Sequence, residues 1–130
     1  MQYIVLLVDD NSINLMVEQA MLKKMGHTVV AATNGEEALR AMDEQEFDVV
    51  LMDIQMPLMD GVDTTRAIRE REAHSGNHTP IIAVTAHTSA IEKERYISSG
   101  MDGYVAKPVD FDRLSSEMKR VSTLKKRAAS

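Results

Sequence analysis

Carboxylates at Asp9, Asp10 and Asp53, a hydroxyl at Thr85 and an amine at Lys107 are the groups whose type and spacing could do chemistry in this chain. Each ends or follows a short aliphatic run: Tyr3 to Val8, Val49 to Met52, Ile81 to Thr85 and Gly103 to Ala106. Such runs read as strands, and parallel strands in one sheet would bring all five side chains to one edge, where all five are expected to face one crevice. At about 4 Å and an effective dielectric near 20, each like-charged pair costs on the order of 4 kcal/mol, so three clustered carboxylates need a cation. Lys107 supplies one positive charge. An all-oxygen donor set without Cys or His suits a hard divalent ion, Mg2+ above all, with Mn2+ able to substitute. With a metal, these are the parts of a phosphoryl-transfer site, where catalysis is mostly positioning and charge neutralisation. Carboxylates serve as nucleophiles that form aspartyl phosphates. Asp53, alone at its strand end, is the candidate nucleophile, and the adjacent Asp9 and Asp10 read as metal ligands. Thr85 and Lys107 would each contact a phosphoryl oxygen. Singly, an Asp after a strand is a turn residue or a helix cap, so the coincidence at one edge carries the reading.

The elements that would position these groups alternate strand and helix five times, Thr28 to Ala32 being the remaining strand. In the first helix Ile13, Met16, Val17, Ala20, Met21 and Met25 recur at spacings of three and four, which predicts a core face; Asn11 or Ser12 can cap it and Gly26 stop it. Asn34 and Glu37 form a capping-box-like pair ahead of Ala38, Leu39 and Met42. A third helix is expected from about Val62 to His74. The fourth, about Ala90 to Ser99, has Ile91, Tyr96 and Ile97 in no single stripe, so an unusual register or exposure is expected. In the fifth, Asp110 to Ser122, one face carries Phe111, Leu114, Met118 and Val121. Strict alternation predicts a doubly wound parallel sheet with right-handed crossovers and helices on both faces, three layers in all. The flavodoxin-like (βα)5 order 2-1-3-4-5 puts the switch point between strands 1 and 3, where ligands collect.

At 130 residues, 44% hydrophobic and 27% charged, the chain reads as one domain over 1–122, followed by a short basic tail, 123–130, with Lys125, Lys126 and Arg127. No run approaches the roughly 18 apolar residues of a membrane span, so no membrane contact by this domain is expected. Zero cysteines exclude disulfides and thiolate chemistry, and with no basic leader the expected location is cytoplasmic. A net charge of −5 argues against direct nucleic-acid binding.

Five signatures agree in order and spacing: LLVDDN at Leu6 to Asn11, LMDIQMPLMDG at Leu51 to Gly61, PIIAVTAH at Pro80 to His87, GMDGYVAKP at Gly100 to Pro108, and the amphipathic last helix. With them the chain resembles the response-regulator receiver domain from Tyr3 to about Ser122. The resemblance implies that Asp53 is the phosphoacceptor, Asp10 a direct Mg2+ ligand, Asp9 a ligand through water and the Gln55 carbonyl a third protein oxygen. It makes Thr85 and Tyr104 the switch pair, Lys107 the phosphate-contacting lysine and Lys107-Pro108 a cis-peptide candidate. Gln55 and His87 would border the path of hydrolytic water and tune the lifetime of the phosphate. The MDIQMP and AVTAH wording is similar to receivers of hybrid sensor histidine kinases. The implied role is a signalling switch that catalyses only its own phosphoryl transfer and autodephosphorylation. The implied partners are a histidine kinase or a histidine phosphotransfer protein, with phosphorylation-dependent dimerisation left open. Two other readings fit worse. A flavin carrier needs a phosphate-cradling loop where Asp9-Asp10 would repel phosphate, and an aspartate-nucleophile phosphatase would typically place an acid at position 55, which is Gln.

Overall fold

The structure, a computed structural model, describes residues 2–124. It alternates β1 (Ile4–Val8), α1 (Ser12–Lys24), β2 (Thr28–Ala32), α2 (Gly35–Glu44), β3 (Val49–Asp53), α3 (Gly61–Ser75), β4 (Ile81–Thr85), α4 (Ala90–Ser99), β5 (Gly103–Ala106) and α5 (Phe111–Ser122). The strands form one parallel sheet in the order β2-β1-β3-β4-β5, as expected. Of the basic tail expected from position 123, residues 125–130 lie outside the described residues.

Period-two alternation divides the core between the sheet's two faces. Leu6, Val8, Val50, Met52, Ile81 and Ala83 pack with Ala38 and Leu39 of α2, Val62 and Ile68 of α3 and Tyr96 of α4. Val5, Leu7, Leu51, Ile82, Val84 and Val105 pack on the other face with Leu15 and Leu22 of α1 and Leu114, Met118 and Val121 of α5. Strands buried on both faces read as continuous aliphatic runs, the pattern that marked them in the sequence.

The helices begin at side-chain caps. Asn11 accepts from the N–H groups of Ile13 and Asn14 (both 3.0 Å), and Asn34 accepts from Glu37 N–H at 2.8 Å. Glu37 returns its carboxylate not to Asn34 but to Thr33, whose N–H and hydroxyl both donate at 2.6 Å, so the reciprocal half of the cap starts one residue early. Helix α3 begins at Gly61 rather than Val62, because Asp60 caps it by accepting from Asp63 N–H at 2.9 Å.

One expectation is overturned. Most of the stripe read into α1 faces outward: Ile13 and Met16 are each 70% exposed and Val17 54%, Ala20 is exposed, and only Met21 and Met25 are half-buried. The buried residues are Leu15 and Leu22. Positions 15, 18, 19 and 22 repeat with the same helical period, so apolar residues on two faces gave periodicity two solutions. Packing against the sheet selected the one led by Leu15 and Leu22, which join the cluster of Val5, Leu7 and Leu51.

Candidate functional site

Register alone brings the acidic groups together. Val8 pairs with Met52, so the next residues, Asp9 and Asp53, come to the same level at the C-terminal edge of adjacent central strands. Asp53, still within β3, pairs with Val84, and Val84 with Val105. Lys107, two residues beyond Val105, therefore points to the same side of the sheet. Oxygens of Asp9, Asp10 and Asp53 lie within 4.8 Å of one another, close enough to share one cation. Lys107 Nζ donates to Asp53 Oδ1 at 3.0 Å and lies 3.9 Å from Asp9 Oδ2. Asp9 and Asp53 are buried, and Asp10 is exposed at the mouth. The donor set fits Mg2+: carboxylate oxygens only, one of them facing solvent.

The electrostatics record the strain of this gathering. Burial pushes the Asp53 carboxyl above its ordinary range, the hydrogen bond from Lys107 opposes that shift, and Asp9 and Asp10 add to it. For Lys107, burial lowers the ammonium's pKa, but the bond to Asp53 and the charges of Asp53, Asp9 and Glu18 outweigh it, holding the pKa above the usual value.

Glu18 is the residue that sequence reasoning missed. Helix α1 turns it toward the cluster, into a hollow it shares with Asn14, Val17, Lys107, Pro108 and Phe111. Burial, then the charge of Asp9, pushes its carboxyl up to about 7. The signal that could have found it is the Leu15-Glu18-Leu22 spacing. A raised folded-state pKa means stability present below about pH 4.5 and lost as pH rises through about 7. In EDTA, Glu18→Gln is therefore expected to stabilise the protein at pH 8 by on the order of 1 kcal/mol, after discounting for the side chain's solvent contact. The gain should shrink towards pH 5. Urea unfolding at both pH values measures it, and an equal gain at both would show that the charge is not responsible.

Thr85 stands at the same edge but on the opposite side of the sheet, toward α4. Its Oγ1 accepts from His87 N–H at 3.0 Å and lies 3.2 Å from the Tyr96 hydroxyl. Gln55 Nε2 lies 2.7 Å from His87 Nε2, so the β3–α3 and β4–α4 loops touch beside the acidic crevice. Tyr104, half-buried, has Lys93 Nζ over its ring at 4.9 Å. The Lys107-Pro108 peptide is cis. The fourth helix has the irregular exposure its pattern suggested, with Tyr96 fully buried between Ile91 and Ile97, which are 81% and 51% exposed.

A doubly wound parallel sheet with three carboxylates and a lysine at its switch point is an arrangement that can hold one divalent cation beside an anionic group. The family model for the response regulator receiver domain matches residues 5–119, and the chain belongs to that family of two-component signalling switches. It is 47% identical over 112 residues, 85% of this chain, to the sensor histidine kinase GacS of Pseudomonas protegens, and 40% identical over 116 residues, 89% of this chain, to BarA of Escherichia coli. It spans 12% of the length of each of those kinases. Among solved structures, the receiver domain of sensor histidine kinase PA1611 from Pseudomonas aeruginosa, described with a magnesium ion coordinated in its active site cleft, is 34% identical at a TM-score of 0.82, covering 95% of this chain and 99% of that one. The receiver domain of yeast Ssk1, crystallised with the histidine phosphotransfer protein Ypd1, is 29% identical at a TM-score of 0.86, covering 95% and 90%. Among the described residues no helix is long and apolar enough to cross a membrane.

Proposed function

We propose that Asp53 accepts a phosphoryl group from a phosphohistidine, and that the resulting aspartyl phosphate switches the face formed by α4, β5 and α5. The observation that carries this reading is the convergence of Asp9, Asp10 and Asp53 within 4.8 Å, beside the Lys107 ammonium. An Asp53 carboxylate oxygen attacks phosphorus as the P–N bond to the donor imidazole breaks, and the leaving nitrogen keeps the bonding pair. Asp10, Asp53 and the Gln55 carbonyl would hold Mg2+, with Asp9 reaching it through water, and the bound ion would supply charge neutralisation for the transferring oxygens. Lys107 stays on Asp53 and meets a phosphoryl oxygen. Thr85 donates to another, Tyr104 turns inward behind it, and Gln55 and His87 set the rate at which water removes the phosphate. The folded unit in this reading is 1–122.

The chain's similarity to kinase receivers supports a role in a phosphorelay, receiving phosphate from a histidine kinase or exchanging it with a histidine phosphotransfer protein. The donor's imidazole has to reach Asp53, so its carrier rests on the rim of the crevice. There α1 presents Ile13, Met16 and Val17 to solvent, next to the hollow of Pro108 and Phe111. This exposed apolar surface beside a charged crevice suits an apolar protein face that carries a histidine.

Incubation with acetyl phosphate and Mg2+ tests the reading. Mass measurement should find a single phosphoryl adduct in the wild type and none in Asp53→Asn or in excess EDTA. An adduct that persists in Asp53→Asn ends the assignment. Decay of the same adduct, followed in Gln55→Ala and His87→Ala, checks the lifetime roles, and unchanged decay in both would remove them.

A further inference from the structure

We propose that the Tyr96 hydroxyl is a latch: it holds Thr85 in the unphosphorylated arrangement, gives it up when a phosphoryl group arrives, and so ties α4 to the state of Asp53. The inference rests on the reading of Asp53 as phosphoacceptor and deepens it by naming a positioning residue outside the crevice.

Hydrogen-bond accounting leads there. Tyr96 Oη donates to the His87 carbonyl at 2.8 Å. A phenol has one proton, so in its 3.2 Å contact with Thr85 Oγ1 the threonine is the donor. Thr85 Oγ1 in turn accepts from His87 N–H at 3.0 Å. The three groups close a ring: Thr85 hydroxyl to Tyr96 oxygen, Tyr96 hydroxyl to His87 carbonyl, His87 N–H back to Thr85. Both side chains are buried, Tyr96 at 0% and Thr85 at 2% exposure, so water does not readily replace a lost partner.

The single proton of Thr85 is therefore committed. It cannot donate to a phosphoryl oxygen and to Tyr96 at once, which makes the two arrangements exclusive, as a two-state element requires. Release of Thr85 also undoes the ring that fastens α4 to the end of β4, since Tyr96 is the fully buried side chain through which α4 enters the core. What the phosphate changes at Thr85 is then felt along a helix whose Ile91 and Ile97 already face solvent.

Tyr96→Phe keeps the ring volume and removes the hydroxyl. In the latched arrangement it leaves the Thr85 proton and the His87 carbonyl without their buried partners. In the phosphorylated arrangement the Thr85 proton has the phosphate. The variant should therefore favour the second state. With beryllium fluoride and Mg2+ as the phosphoryl mimic, calorimetric titration should show binding about five- to tenfold tighter than wild type, the size of one buried hydrogen bond. Affinity for Mg2+ alone should not change, because the metal does not compete for Thr85, whereas general damage to the fold would weaken both. In a Thr85→Ala background the same substitution should give no gain, since no hydroxyl remains to be released. Unchanged mimic affinity in Tyr96→Phe overturns the latch, as does an equal gain without Thr85. Mimic binding that survives Asp53→Asn would instead overturn the phosphoacceptor reading, so the two failures are separable.

Discussion

Replacing Lys107 by alanine is expected to slow phosphorylation by acetyl phosphate roughly 100-fold, the usual loss when one donor to a developing oxyanion is removed. The same change should tighten Mg2+ binding. Both follow from one position. The Lys107 ammonium bonds Asp53 at 3.0 Å and lies 3.9 Å from Asp9, and the two carboxylates it serves are more buried than it is. Its pKa is held above the ordinary value, so it stays charged at any pH suitable for the assay. In the metal-free protein it is the cation that offsets the carboxylate repulsion. A divalent ion offsets the same repulsion, so lysine and metal compete electrostatically, and removing the lysine raises the cluster's attraction for the metal. During transfer they cooperate, because the charge on three phosphoryl oxygens is more than one of them can neutralise. Opposite signs in the two measurements separate this account from simple misfolding, which would weaken both. Mg2+ bound more weakly by Lys107→Ala than by wild type, measured calorimetrically, would contradict it.

How far the site was legible depended on where its residues lie along the chain. Asp9, Asp53, Thr85 and Lys107 sit at the ends of aliphatic runs, and in a parallel sheet every such run ends at the same edge. Convergence could therefore be read from the continuous aliphatic runs and their strict alternation with helices. Glu18 and Tyr96 lie in helices, where the face turned inward is chosen by packing. In α1 that choice was ambiguous, because Met16 and Val17 compete with Leu15 and Leu22 under the same period. Reading the wrong face hid a carboxylate that belongs beside the crevice. In α4 the mixed pattern of Ile91, Tyr96 and Ile97 marked an irregular helix without saying which aromatic was core. The ring of hydrogen bonds among Thr85, His87 and Tyr96 has no sequence signature, since it needs a loop carbonyl, a loop N–H and two hydroxyls that only the fold brings together. The Asp60 cap was legible in principle as an Asp before a glycine-led helix. Reading α3 from the apolar Val62 missed it by one residue.

Gly61→Ala should be a strongly damaging single-methyl change, costing about 1–3 kcal/mol by overpacking and taking the Mg2+ response with it. A Cβ on Gly61 would meet the Asp53 carbonyl oxygen at 2.4 Å, Ile54 Cα at 2.9 Å and Met52 Cγ at 3.0 Å. The first two are backbone atoms of the strand end that carries Asp53, and no rotamer change moves them aside. Gly61 N–H already bonds the Ile54 carbonyl at 2.9 Å, so strand end and helix start are drawn together at this point. Conformational preference acts the other way, since alanine in a helix gains roughly 0.5–1 kcal/mol over glycine, but that is smaller than the clash. The methyl therefore has to push β3 and α3 apart, which displaces Asp53 relative to Asp9 and Asp10. Gly26→Ala is the informative contrast. Gly26 has a φ of +97°, and its Cβ would touch only Gln2 Cγ at 3.9 Å. Its cost should be the left-handed strain of about 1–2 kcal/mol, with Mg2+ still raising the melting temperature as in wild type. Thermal unfolding of both variants with and without millimolar Mg2+ decides the matter. A Gly61→Ala protein that keeps the full metal-dependent rise would mean that the close approach of α3 to β3 has no part in holding the acidic cluster.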